Sequence, residues 1–338
     1  MTHTSKHLPP VQFNHLYVVL DDKTYRSIIH SDYLRIAFPG VEQRATRTAA
    51  GEQWAGSYFY CRDTYLEFFS VGSRIPNQAG FTGGHWQPGA QIGWAGLAFS
   101  VDRAGGAEAV ARALREKFRY RPHHELRQLQ DGSAQINWFN TVWLAERLGM
   151  GSFESWLMEY HPDIFLHKGI HLPEGEERST RAYLARWNVE RTADITPIVE
   201  ESGLAEDSRR SAKPTAIPDD APAAKRPSPP PAPVFSNVIG ATLHLDHNRA
   251  ERYAAVLRLL GFKQQEDGSD LVLSNPDFHL RISPEKSPSG YRISSLRLAM
   301  ARPSVAPMTF VFATGSRLAL RDDQTAEWRF GEDSGKGL

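Results

Sequence analysis

Phe13-Asn14-His15-Leu16-Tyr17-Val18-Val19-Leu20 and Thr64-Tyr65-Leu66-Glu67-Phe68-Phe69 are two runs of apolar, aromatic and β-branched residues, each of strand length. Each carries one polar side chain able to bind a metal, His15 in the first and Glu67 in the second. Between them the chain spells a helix and more strands. Asp21-Asp22 can cap a helix by accepting hydrogen bonds from its free N–H groups. Tyr25, Ile28, Ile29 and Tyr33 recur at helical spacing, with a break near Ser31-Asp32 and a stop at Pro39-Gly40. Strands are expected at Gln43 to Arg47, Trp54 to Cys61 and Tyr65 to Val71, which makes the unit β-α-β-β-β.

The pattern returns. Trp94 to Val101 reads as a strand and Gly106 to Phe118 as a helix with Val110, Leu114 and Phe118 on one face. Glu125 to Leu129, Ala134 to Leu144 and Ser155 to Tyr160 complete a second unit with an insertion at Arg147 to Gly151. A glycine-rich stretch, Gly72 to Gly93, joins the two units and contains His85-Trp86; a loop of that length is usually functional or disordered. Arg181 to Trp187 reads as helical, and Ala205 to Pro233 has the Pro/Ala/Ser composition of an extended linker. A third unit follows: a strand at Val238 to Leu245, a helix from Arg249 to Leu260 closed by Gly261, and strands at Asp270 to Leu273 and Phe278 to Ile282. A last set, Ile293 to Ala299, Thr309 to Ala313, Arg317 to Leu320 and Glu327 to Phe330, lacks a helix and reads as a shortened fourth copy.

Internal repetition lets one copy be compared with another. HLYVVL (15 to 20) set against GLAFSV (96 to 101) and GATLHL (240 to 245) puts Gly96 and Gly240 at the place of His15. YLEFF (65 to 69) set against LMEYH (157 to 161) and HLRIS (279 to 283) puts Glu159 and Arg281 at the place of Glu67.

With these motifs the chain resembles the vicinal oxygen chelate superfamily, the glyoxalase and extradiol dioxygenase group. More narrowly, FNHLYVVLD, the Trp54-to-Tyr60 strand and TYLEFF resemble an uncharacterised bacterial family within it. The likeness covers roughly residues 11 to 165 and is weaker for 236 to 330. It implies an α+β fold: tandem β-α-β-β-β modules paired into a cupped mixed sheet, with a second degenerate pair. It also implies ligands on the first and last strands of each module, which map onto His15, Glu67, Gly96 and Glu159. Gly96 supplies no ligand, so His15, Glu67 and Glu159 are the expected metal set unless His85 swings in. One imidazole with two carboxylates suits Fe, Mn, Zn or Ni as a divalent ion and leaves positions open for a substrate. Glu67 and Glu159 are also the candidate general bases.

Each reading has a plain counterpart. His15 could be a hydrogen-bonded histidine on a half-buried strand, and Glu67 and Glu159 could face solvent. Trp54, Tyr58 and Trp138 alternate on strands as cup-lining residues that could contact a planar substrate, or as ordinary core; His85 is a further candidate substrate contact or loop surface. His161, His167 and His171 match no zinc spacing.

Bulk properties narrow the classes. The chain has 338 residues, 41% hydrophobic and 11% aromatic, with 39 basic against 39 acidic residues. Zero net charge argues against nucleic acid or an anionic membrane as partner and favours a small-molecule or protein partner. The single cysteine, Cys61, forbids an intramolecular disulfide and a cysteine-based zinc site. No run approaches the roughly 18 apolar residues a membrane span needs, so a cytoplasmic protein is expected. The expected organisation is a leader (1 to 10), a metal-bearing module pair (11 to 175), a helical segment and linker (176 to 235) and a degenerate pair (236 to 338) that packs on the first or on another chain, as in a homodimer. The expected function is a metal-dependent enzyme acting on a small organic molecule by isomerase, lyase or dioxygenase chemistry. The rival is a non-enzymatic protein that sequesters a small molecule on the same fold.

Overall fold

In the computed structural model, β1 (Gln12–Leu20) ends at Asp21, whose carboxylate accepts the Thr24 amide at 2.9 Å and caps α1 (Asp22–Ile29). Ser31 caps α2 (Asp32–Ala37) in the same way, so the expected break is a second helix start. The structure describes residues 8–71, 91–118, 122–144, 153–172, 180–184, 233–286, 290–304, 307–321 and 323–331. His85, the insertion at 147 to 151 and the linker up to residue 232 lie outside them.

The first unit continues through β2 (Gly40–Arg47), β3 (Gln53–Tyr60) and β4 (Tyr65–Ser70). The second runs β5 (Ala95–Ser100), α3 (Gly106–Phe118), β6 (His124–Asp131), β7 (Ala134–Trp143) and β8 (Phe153–Tyr160), followed by α4 (Pro162–His167). Together they form one eight-stranded sheet of order β2-β3-β4-β1-β5-β8-β7-β6. Its two edges meet at one corner, where Thr48 bridges Leu129 and the Ala49 amide donates to the Gln128 carbonyl. The sheet therefore curls into a cup.

The third unit is β9 (Phe235–Asp246), α5 (His247–Leu259), β10 (Lys263–Asp267), β11 (Asp270–Ser274) and β12 (His279–Glu285); the fourth is β13 (Ile293–Met300), β14 (Met308–Phe312), β15 (Ser316–Leu320) and β16 (Thr325–Phe330). They make a second sheet of matching order, β10-β11-β12-β9-β13-β16-β15-β14. In the three units with a helix, the first and last strands pair parallel: β1 with β4, β5 with β8, β9 with β12. In the fourth, β13 and β16 pair antiparallel. The missing helix explains the difference. A crossover helix carries the chain back along the sheet before the next strand starts, whereas β14, next in the chain after β13, runs back from the end that β13 has reached.

Strand alternation divides the side chains between two environments. On β1, Leu16, Val18 and Leu20 join the large core under the helices, while Tyr17 and Val19 join Phe69 on the cup side. That large core is shared by both sheets. Phe13 stacks on Phe278 at 4.0 Å, Phe99 meets Phe262 edge-on at 5.5 Å, and Phe68 lies 5.1 Å from Trp328. The Tyr253 hydroxyl on α5 bonds Ser155 on β8 at 2.7 Å. The second pair thus packs helix side to helix side on the first, leaving both cups facing away.

Candidate functional site

His15, Tyr65 and Glu67 share the cup face, because β1 and β4 are parallel with His15 opposite Tyr65 and Tyr17 opposite Glu67. The His15 ring stacks on Tyr65 at 4.3 Å and meets Trp156 edge-on at 5.4 Å. Its Nδ1 lies 2.7 Å from Asn14 Oδ1, and Asn14 Nδ2 donates to Thr180 Oγ1 at 2.6 Å. Because the Asn14 amide nitrogen is committed to Thr180, its carbonyl faces the ring; Nδ1 is the protonated nitrogen and Nε2 the acceptor. Nε2 stands 3.7 Å from Glu67 Oε1. That is too far for a hydrogen bond between them, yet one ligand oxygen could reach both.

His15 and Glu67 are only 4% and 8% exposed. Burial, helped by the nearby Arg44 charge, lowers the imidazole to about 3; burial raises the Glu67 carboxyl to about 8, with Arg44 opposing. Near neutral pH the imidazole is uncharged and the carboxyl mostly protonated, the form in which burial costs least. Arg44 on β2 lies 4.0 Å over the Tyr58 ring, donates to the Tyr60 hydroxyl at 3.3 Å and sits 3.6 Å from Glu42.

The aromatic candidates line this cup. Tyr58 is opposite Glu67 in the β3–β4 ladder, and its hydroxyl accepts from Trp54 Nε1 at 3.0 Å. Trp54 stacks on Trp138 at 6.2 Å. The Trp138 indole N–H is buried and has no hydrogen-bond partner among the described residues, an unused donor in a wall otherwise made of rings.

Glu159 corrects the sequence expectation. It has the strand parity of Phe153, Ser155 and Leu157, so it faces the helices, where Oε1 accepts the Gly105 amide at 3.0 Å and Oε2 the Ala107 amide at 2.9 Å. It anchors the start of α3 and does not approach His15. The register names the true counterpart of Glu67: Gly96 pairs with Glu154 as His15 pairs with Tyr65, so two residues on, Trp156 takes the carboxylate's place. Comparing LMEYH with YLEFF by eye slips by three residues, and an odd slip turns a side chain to the other face.

The fit to a three-ligand metal centre fails on these donors. A Cβ built at Gly96 would lie 2.3 Å from the Tyr17 ring and 2.8 Å from Trp156, so aromatic rings fill the second half of the expected site. Among the described residues no group of three or more His, Cys, Asp and Glu could hold a metal ion; His15 and Glu67 are two donors alone. Asn14, Arg44 and Thr180 were missed. Asn14 adjoins His15 in the chain and Arg44 alternates with Glu42 and Thr46 on β2, signals that polar alternation carries; nothing local marks Thr180.

Fold and site define an α+β protein of paired β-α-β-β-β cups, with a buried imidazole–carboxyl pair in the first. The chain belongs to the family of unknown function DUF5829, whose model matches residues 13–186. No curated protein matches it. Solved structures similar to it include a hypothetical protein from Staphylococcus aureus (10% identity, 89% of this chain and 95% of that one, TM-score 0.46). They also include the Mn(II)-bound glyoxalase from Novosphingobium aromaticivorans (9% identity, 82% and 62%, TM-score 0.34). A third is an extradiol ring-cleaving dioxygenase from B. fuscum (10% identity, 100% and 78%, TM-score 0.38). Among the described residues no helix is long and apolar enough to cross a membrane.

Proposed function

We propose that the protein is an enzyme of the vicinal oxygen chelate type that moves a proton on a small, planar carbonyl compound held in the first cup. The carrying observation is the His15–Glu67 pair, 3.7 Å apart and buried among aromatic rings. Glu67, at about 8, is the group tuned to exchange protons near neutral pH. In its ionised form it removes a proton from carbon next to the carbonyl; the C–H electron pair forms the C=C bond of an enolate as the carbonyl π pair moves onto oxygen. The same carboxyl returns the proton to that carbon or, where a double bond is conjugated with the carbonyl, to its far end as that double bond shifts. His15 at about 3 stays neutral, and its Nε2 accepts a hydrogen bond from a substrate hydroxyl. Asn14 holds that tautomer, and the Trp138 N–H and Arg44 offer a donor and a positive charge to the substrate oxygens. The divalent ion implied by resemblance takes no part, because no third His, Cys, Asp or Glu joins His15 and Glu67 in a metal-holding group among the described residues.

The test is deuterium uptake by a panel of enolisable aromatic carbonyl compounds in heavy water, followed by NMR. Wild type should catalyse exchange with a rate rising toward pH ~8, with EDTA without effect and Glu67→Gln inactive. Exchange abolished by EDTA and restored by one divalent ion would replace this reading with a metal-dependent one. Ligand binding without exchange would favour the sequestering protein, for which the aromatic lining is the supporting observation.

A further inference from the structure

The second cup holds a cavity of about 490 Å³ lined by Arg281, Arg297, Arg321, Thr242, Ser295 and Glu327 among others, with no Phe, Tyr or Trp among the described residues of its wall. It is the counterpart of the first site. His279 pairs with Gly240 as Tyr65 pairs with His15, so Arg281 stands where Glu67 does and bare backbone stands where His15 does. Arg297, on β13, pairs with Gly240 from the other side of β9. An added Cβ at Gly240 would sit 2.9 Å from the His279 carbonyl and 3.6 Å from Arg297 Cβ, so the glycine keeps a trough open between the two arginines.

The charges around that trough are unevenly matched. Arg281 is fixed by Asp270 at 2.8 Å and Asp267 at 2.7 Å. Arg297 has one ionic partner among the described residues, Asp323 at 3.5 Å, and is 58% exposed at the side chain. Glu327 is shared by Arg321 and Arg329. Arg281 thus takes two carboxylates from outside the lining and Arg321 shares Glu327 with Arg329, so Arg297, with its one long ion pair, is the least neutralised guanidinium of the cavity. At the floor, Ser295 Oγ donates to Thr242 Oγ1 at 2.9 Å, leaving the Thr242 hydroxyl proton to point elsewhere.

We infer that the second cup binds a small polar molecule through an oxyanion, carboxylate or phosphate, seated between Arg281 and Arg297 above Gly240 and Thr242. A guanidinium fork matches two oxygens of such a group, and its unused N–H groups supply charge-assisted hydrogen bonds. Among the described residues of the wall His279 is the one ring and no Phe, Tyr or Trp is present, which sets this ligand class apart from the planar one of the first cup.

The test is calorimetric titration of the full chain at low ionic strength with inorganic phosphate and, separately, with citrate. Saturable binding of at least one anion is expected, weakened about tenfold or more in Arg297→Gln and unchanged in Arg26→Gln, a surface arginine on α1. Phosphate preferred over citrate assigns a phosphoryl group; the reverse assigns a carboxylate. No saturable binding of either anion, or binding by Arg297→Gln equal to wild type, overturns the site. Arg297 is largely exposed, so its replacement leaves the fold intact and the comparison readable.

Discussion

Replacing Glu67 by Gln should make the protein less sensitive to alkali, by an amount the burial of the site sets. The carboxyl is raised from an ordinary 4.5 to about 8. Below 4.5 both folded and unfolded chains are protonated and the full stability is present. Between 4.5 and 8 the unfolded chain ionises while the folded chain keeps its proton, so each pH unit removes about 1.4 kcal/mol. At pH 7 the accumulated loss is about 3 kcal/mol, a large fraction of the usual stability of a folded protein. His15 acts in the opposite sense: lowered from 6.5 to about 3, its contribution is complete above 6.5 and is lost as pH falls toward 3. The two slopes cancel between 4.5 and 6.5 and leave Glu67 alone between 6.5 and 8. Urea unfolding at several pH values isolates the effect. Relative to wild type, Glu67→Gln should gain about 1.5 kcal/mol between pH 6.5 and 8, with the urea slope unchanged. A difference that stays flat over that interval, or shrinks, refutes a buried protonated Glu67.

Other perturbations probe neighbouring claims. Arg44→Met removes a charge that lowers both members of the pair, so carbon NMR titration should find Glu67 above 8 and His15 above 3; unchanged values would move Arg44 out of the site. Glu159→Ala leaves two amides at the start of α3 without their acceptor and should cost about 1–3 kcal/mol while deuterium exchange persists. Exchange lost in that folded variant would return Glu159 to the site. Phe278→Ala removes the ring stacked on Phe13 and should cost about 3–5 kcal/mol, unfolding both cups in a single transition. Two separate transitions would show that the sheets do not share a core.

The repeat was legible because hydrophobic alternation and turn residues are local: the helix cap at Asp21 and the first two β-α-β-β-β units follow from spacing alone, while in the third unit β10 (Lys263–Asp267), a mostly exposed run of polar residues, carries no apolar alternation to mark it. The antiparallel fourth unit follows from its missing helix, which the sequence also showed. The site was legible by half. His15 and Glu67 lie at matching places on parallel neighbours, and the third copy, Gly240 with Arg281, keeps that register. Glu159 lies on the opposite face because the loops of the second unit differ in length from those of the first, and an offset between strands that is wrong by an odd number exchanges cup for core.

The sequence by itself determined most of the strands and helices, though not β10 or α4, together with the repeat and the chemistry available at its marked positions. Only the tertiary structure decided that the third expected ligand is a helix anchor, that Trp156 fills its place, that burial, with Arg44 beside it, sets the protonation of the pair, and that Asn14 and Thr180 orient the imidazole. It alone decided that the two halves share one core through Phe13 and Phe278. The physical reason is common to all of these. Which face a side chain takes, and which distant group lies beside it in low dielectric, depends on register and packing between segments far apart in the chain, and no local pattern encodes either.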